Sequence, residues 1–256
     1  MTTHGLADTA VLTGRSLRHV LRSPDTIVTT ALMPIAMMLM FVYVFGGAIG
    51  TSLPRGVAYV DYLLPGILLI TVASGVAYTA FRLFNDVKSG AVERFRSMPI
   101  ARSSVLWAHV LTSLVAILAS LLVVLGVALI MGFRSTAGPL AWLAAAGIIG
   151  LFALALTWIA VIPGLTARSV DGASAFSYPL IFLPFLSSAF VPTASMPGPV
   201  RWFAENQPVT AIVEATRALL AGAPVDGSIA TALAWCGGIL VAASAVATAV
   251  YRRRVG

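Results

Sequence analysis

The chain has 256 residues, 59% of them hydrophobic and only 10% charged, and a mean hydropathy of +0.96. Soluble domains carry about 25% charged residues, and a soluble fold of this length has no interior large enough to hide so much apolar surface, so the bilayer is the expected solvent. The net charge of +7 reads as a topology signal rather than a nucleic-acid footprint, because the Arg residues gather between apolar runs. The lone Cys236 excludes an intrachain disulfide and a thiolate metal cluster.

In chain order, residues 1–25 form a basic leader. Over 6–23, Val11, Leu12, Leu17, Val20 and Leu21 alternate with Arg15, Arg18 and Arg22. That pattern suits a helix lying on the cytoplasmic membrane surface, with a disordered leader as the alternative. The apolar run that follows is too long for a cleavable signal and reads as a retained first span. Ser23-Pro24-Asp25-Thr26 breaks the chain just before it.

Six apolar runs follow, at 26–45, 62–84, 104–131, 139–163, 173–191 and 229–251. They hold one Asp, Glu, Lys or Arg between them, Arg82 at the edge of the second. Each approaches the roughly 20 residues that a spanning helix needs. In hydrocarbon each must satisfy its own backbone groups, so helix is the reading. Pro34, Pro179 and Pro184 are expected to kink their helices. The fold class is therefore all-α: a polytopic membrane protein with a six-span domain over 26–251 and a short tail at 252–256.

The basic residues sort by gap. Arg15, Arg18 and Arg22 lie before the first span; Arg82, Lys88, Arg94, Arg96 and Arg102 between the second and third; Arg168 between the fourth and fifth; Arg252, Arg253 and Arg254 after the last. The opposite side holds Arg55, Arg134, Arg201 and Arg217. The richer set is expected in the cytoplasm, together with both termini.

The outer gap from 192 is too apolar for an ordinary loop. Trp202 and Phe203 suit the membrane interface. The stretch 208–220 has helical spacing, with Ile212, Val213, Ala215, Leu219 and Leu220 apolar beside Glu214 and Arg217. Two short helices that dip into the outer leaflet without crossing it are expected over 192–222.

Some chemistry is missing from the chain. Lys88 is the only lysine and follows Val87, so there is no Gly-Lys-Ser/Thr to cradle nucleotide phosphates. No G-x-S-x-G nucleophile motif occurs, and His4, His19 and His109 lack metal-ligand spacing. His109 reads as a packed or interfacial residue. The acids Asp8, Asp25, Asp61, Asp86, Glu93, Asp171, Glu205, Glu214 and Asp226 all fall in tails or gaps, which disfavours a self-contained ion-coupled pump.

The cytoplasmic gap after the second span is the most charged part of the chain. Glu93, Arg94 and Arg96 surround Phe95 and Met98, with Pro99 ending the stretch. A short helix near 90–98 would present one apolar knob among charges, as docking elements do. A solvated loop held inside by its positive charge fits the same residues.

The stretch GAVERFRSMPIARSSVLWAHVL, the Tyr62-Leu-Leu-Pro-Gly66 opening of the second run, and FLSSAFVPTASMPGPVRWFAENQPVTAIVEATRALL together resemble the ABC type-2 transporter permeases, most of all the daunorubicin-resistance, drug-export group. The likeness extends along essentially the whole chain. It implies a permease of the bacterial plasma membrane, without catalytic residues or an ATP site of its own, paired with a second permease chain (the same or related) and two cytoplasmic ABC ATPase subunits that carry ATP and Mg. It implies that Glu93, Arg94, Phe95, Arg96 and Met98 couple to the ATPase. The segment containing Trp202, Phe203, Asn206, Pro208 and Glu214 would close the outer exit. A path walled partly by the first and fifth spans makes Met37, Met38, Phe41, Tyr43, Phe176, Tyr178, Phe182 and Phe185 candidate lining residues, with core packing or lipid contact as the plainer role of each. A hydrophobic or drug-like compound is the first expectation for cargo. Polysaccharide, teichoic acid, lipid or haem are the alternatives, and an ion-coupled secondary carrier or a membrane scaffold would be of a different class.

Overall fold

The computed structural model describes residues 24–50, 53, 56–90, 102–224 and 227–255. The expected surface helix at 6–23 and the expected coupling helix at 90–98 lie essentially outside them. Helix α1 (Pro24–Met40) runs on through a π-helical turn (Phe41–Phe45) into a last α-turn (Gly46–Ile49). Then come α2 (Tyr59–Lys88), α3 (Arg102–Ile130), α4 (Pro139–Thr166), α5 (Val170–Ser174), α6 (Ser177–Phe182), α7 (Gly198–Glu205), α8 (Pro208–Leu220) and α9 (Ser228–Val255), with 3₁₀ turns at Leu183–Leu186 and Thr193–Ser195.

Five of the six predicted spans are helices long and apolar enough to cross a bilayer: Val28–Ile49, Tyr59–Lys88, Leu106–Ile130, Pro139–Thr166 and Ser228–Arg253. The predicted fifth span, 173–191, is not one helix. Residues 173–186 fall in the shorter Val170–Leu186 stretch, divided into α5, α6 and a 3₁₀ turn, and 187–191 are in no helix. Pro179 and Pro184 remove two backbone donors here. Hydroxyls take over part of the bonding: Ser169 Oγ accepts from the Gly172 amide (3.1 Å), and Ser177 Oγ donates to the Ser174 carbonyl (2.7 Å). The broken segment still runs along α2. Ser174 lies across a groove from Ser74 and Tyr78, while the Phe190 carbonyl accepts from Tyr59 Oη at 3.2 Å.

Helix α2 is the axle of the bundle, packed against α1, α3, α4, α5, α6 and α8. The largest apolar core follows it, through Leu63, Leu64, Ile67, Ile70, Val72 and Val76. A second cluster near its Lys88 end joins Leu83, Leu106, Val110, Trp158, Ala247 and Tyr251. Two glycines permit the closest contacts. A Cβ on Gly66 would stand 2.5 Å from Ala189 Cβ, and one on Gly75 would stand 2.5 Å from Ile117 Cγ1. Only a residue without a Cβ allows approaches this close, a common packing device between membrane helices. Buried hydroxyls bond within their own helices, as Thr71 to the Ile67 carbonyl (2.8 Å), Thr112 to Ala108 (2.7 Å) and Thr157 to Ala153 (2.7 Å). A polar side chain thereby sits in an apolar helix without an orphan donor.

Candidate functional site

At the bundle end away from Lys88, three separated stretches converge: the start of α2, the chain after α6, and α8. Arg217 is the hub. Its Nε donates to the Tyr62 carbonyl (3.1 Å), and its Nη2 donates to the carbonyls of Ser188 (2.7 Å) and Ala189 (3.5 Å). The guanidinium also stands over the Tyr62 ring, 3.8 Å from its centroid. A charge-assisted hydrogen bond contributes about 1.5–3 kcal/mol, and a desolvated cation–π contact about 2, so one side chain binds three elements. Among the described residues these bonds go to carbonyls and none to a carboxylate. Glu214, one turn earlier, is exposed.

The neighbouring groups complete the junction. Gln207 Nε2 donates to the Leu186 carbonyl (2.8 Å) and, more weakly, to that of Leu183 (3.4 Å), where the 3₁₀ turn leaves backbone acceptors. The Ser188 amide donates to Thr210 Oγ1 (3.4 Å). The carbonyl end of α8 is closed from the α3–α4 turn: Ser135 Oγ donates to the Leu220 carbonyl (2.6 Å) and Thr136 Oγ1 to that of Ala221 (2.8 Å). In the same turn the Arg134 amide donates to Asp61 Oδ1 (3.1 Å). Three buried side-chain atoms here have no protein hydrogen-bond partner among the described residues: Ser188 Oγ, Gln207 Oε1 and Thr216 Oγ1.

Beside this junction lies an aromatic stack. The rings of Phe41 and Phe190 are 4.7 Å apart at 28°, and those of Phe185 and Phe190 are 4.8 Å apart at 13°. Phe45 and Phe182 extend it at 5.6 and 6.1 Å. Phe41 opens the π-turn of α1. Such turns widen a helix locally and are frequent at functional sites.

Toward the Lys88 end, α1, α2 and α5 border a groove of about 260 Å³ lined by Thr29, Thr30, Ser74, Tyr78, Phe81 and Ser174. A narrower recess beside it reaches Arg82, Thr79 and Ser113. One turn beyond Arg82, Asp86 Oδ2 lies 3.4 Å from His109 Nε2 and ties α2 to α3. His109 is thus the packed residue expected, with an acidic partner that sequence spacing did not point to.

The predicted site residues have different fates. Glu93, Arg94, Phe95, Arg96 and Met98 lie outside the described residues. Met37 and Met38 are buried in the core and Phe176 packs partly against it. Phe41 and Phe185 belong to the stack, whereas Tyr43, Tyr178 and Phe182 are more than 60% exposed. Trp202 and Phe203 are exposed, Asn206 closes α7 with its Nδ2 donating to the Trp202 carbonyl (2.8 Å), and Pro208 opens α8. On α7, Arg201 Nε donates to Glu205 Oε1 (2.7 Å), and Thr193 Oγ1 adds a bond at 3.2 Å. The Arg201 bond holds the exposed Glu205 carboxyl below the usual carboxylate range. Sequence reasoning missed Phe190, Gln207 and Arg217 as site residues. Arg217 had one available signal, a lone guanidinium in an apolar helix away from the basic side. Phe190 had none beyond its place in an apolar run.

The chain has relatives among known proteins. The daunorubicin resistance ABC transporter permease protein DrrB1 of Streptomyces coeruleorubidus is 29% identical over 232 residues, covering 89% of this chain and 77% of that protein. A "Probable doxorubicin resistance ABC transporter permease protein DrrC" of Mycobacterium tuberculosis is 28% identical over 251 residues, covering 97% and 89%. Residues 8–221 match the profile of the ABC-2 type transporter family, and with that match over most of its length the chain belongs to the ABC-2 type transporter family, as a membrane-embedded transporter subunit.

Proposed function

We propose that this chain is the permease of an ATP-driven exporter that moves a hydrophobic or drug-like compound out across the bacterial plasma membrane. Energy comes from two copies of a separate ATPase, docked on the cytoplasmic segment containing Glu93, Arg94, Phe95, Arg96 and Met98, and a second permease chain completes the path. Both termini are cytoplasmic, so the Arg217 junction is the outer end and the groove at Ser74 and Tyr78 the inner one.

The observation that carries this reading is the stack of Phe41, Phe190 and Phe185. It joins the π-turn of α1 to the chain leaving the broken segment, the two walls expected of the path. Planar aromatic cargo can exchange ring contacts with such a stack, each pair contributing about 0.5–1.5 kcal/mol. The names of the two relatives, which concern daunorubicin and doxorubicin resistance, point the same way. Within the described spans, the acids of α2 lie near its two ends, at Asp61 and Asp86. Among the described residues of these spans no carboxylate lies mid-membrane for coupling to an ion gradient, so external energy suits the bundle.

A second cargo reading rests on the inner groove. Its hydroxyls on Thr29, Thr30, Ser74, Tyr78 and Ser174 suit a polyhydroxylated compound such as a polysaccharide or teichoic-acid precursor. Reconstitution separates the readings. In liposomes holding permease and ATPase, planar aromatic compounds should stimulate hydrolysis and be transported, and Glu93→Arg or Phe95→Ala should uncouple the two. Transport by the permease alone, abolished by collapsing the proton gradient, would overturn the ATP-driven reading. Stimulation by sugar polymers and not by aromatics would overturn the drug reading alone. A reporter fused after Lys88 should report cytoplasm, and one after Asp226 the outside.

A further inference from the structure

We infer that Arg217 is the pin that keeps the outer end of this permease shut, a positioning residue whose release opens the junction to water. The inference rests on the orientation and transport reading above. An ionisable group in a membrane protein's apolar interior is costly and is kept for what it does. Half-buried Arg217 forms no ion pair among the described residues, and the exposed Glu214 one turn earlier acts on it only as a neighbouring charge. Instead its fork collects the carbonyls of Tyr62, Ser188 and Ala189 while its plane covers the Tyr62 ring. Those carbonyls belong to α2 and to the chain after the broken segment, and the guanidinium rides on α8. Withdrawing this one side chain removes the guanidinium bonds from α8 to both and leaves the weaker Ser188 amide–Thr210 Oγ1 bond at 3.4 Å.

The second observation is the polar capacity left unused at the same place. Ser188 Oγ, Gln207 Oε1 and Thr216 Oγ1 are buried with no protein hydrogen-bond partner among the described residues. Orphaned polar atoms in a closed junction are costly. They become hydrated, and that cost disappears, when the junction separates. The pin and the orphans therefore act in opposition: the guanidinium favours the closed arrangement and the unpaired oxygens favour the open one. A balance of this kind leaves the junction switchable by a modest push from the far end of the bundle. Gly66 sets the geometry, since only its missing Cβ lets Ala189 come close enough for its carbonyl to meet Arg217.

The test uses the permease with its ATPase in right-side-out membrane vesicles. Ser188→Cys in a Cys236→Ala background serves as reporter for a membrane-impermeant maleimide. With Arg217 present and no ATP, the reporter should label slowly. Arg217→Met should raise the rate roughly tenfold or more, as expected for loss of charge-assisted hydrogen bonds. Arg217→Lys should fall between, because an ammonium cannot span carbonyls on two elements as the fork does. In chains that keep Cys236, which is buried in α9, Arg217→Met should leave that thiol unreactive. An unchanged Ser188→Cys rate in Arg217→Met overturns the inference. So does equal exposure of Cys236, which would mean that the guanidinium only holds the fold together. Where Arg217→Met fails to reach the membrane, Arg217→Lys carries the same comparison. ATP should speed labelling of the parent reporter. If it does not, while Arg217→Met does, the pin stands and the ATP-driven reading falls.

Discussion

Helices α2 and α9 have nearly the same length, 30 and 28 residues, and both are apolar enough to span a membrane. Yet 83% of the most apolar window of α2 lies inside the protein, against 17% of that of α9. Hydropathy does not explain the difference, because the two helices are almost equally apolar. What differs is company. Helix α2 has six neighbours, including the broken segment and α8, whereas α9 packs on α4 and α8. A Cβ added at Gly66 or Gly75 of α2 would stand 2.5 Å from another side chain, while one added at Gly237 or Gly238 of α9 would meet nothing within 4 Å. In a membrane, apolarity places a helix in the bilayer and says little about whether protein or lipid will surround it.

This contrast can be broken or sharpened by paired substitutions. The largest effect is expected at the aromatic stack on the α2 side. Phe190→Ala removes a ring buried between two others and should cost about 3 kcal/mol in reversible unfolding of the purified protein. Val241→Ala on the exposed face of α9, where the side chain is 69% exposed, should change stability by less than about 0.5 kcal/mol. Equal losses at the two positions would erase the distinction between axle and rim.

Next come the glycines. Gly66→Ala forces a Cβ into Ala189 and should cost about 1–3 kcal/mol by overpacking, with the Arg217 bonds to Ser188 and Ala189 loosened as a consequence. Gly238→Ala enters open space and should be neutral or slightly stabilising, by up to about 1 kcal/mol from helix propensity. Thermal unfolding of the two variants side by side decides it.

The smallest effect belongs to the periphery. The folded-state pKa of Glu205 is depressed, chiefly by the bond from Arg201. Its contribution is therefore present above the ordinary glutamate value of about 4.3 and is lost as pH falls through the lower folded value. Wild type should be marginally more stable than Glu205→Gln at neutral pH, and the two should converge in acid. A gap that widens in acid would reverse the assigned direction. Both partners are largely solvent-facing, so high salt should shrink the difference as well.

Much of the architecture is legible in the residues because it follows from local rules. Apolar length gave the five continuous spans, and Pro208 with the helical spacing after it gave α8. Pro179 and Pro184 marked the helix that the structure breaks, although its apolar length read as one kinked span. The site was less legible. Phe41 and Phe185 were found by being aromatic on the expected walls, but the ring between them, Phe190, comes from a loop whose position no local pattern fixes. Exposed Tyr43, Tyr178 and Phe182 carry the same aromatic signal and do not join the core of the stack.

The sequence by itself determined that this is a helical membrane protein whose basic residues gather between alternate apolar runs. Those properties depend on the solvent that each stretch prefers. Only the tertiary structure decided that Arg217 serves the carbonyl of Tyr62, 155 residues away, and that Tyr59 meets the carbonyl of Phe190, 131 residues away. Bonds across such distances depend on how whole helices pack, and packing between equally apolar helices leaves no trace in hydropathy.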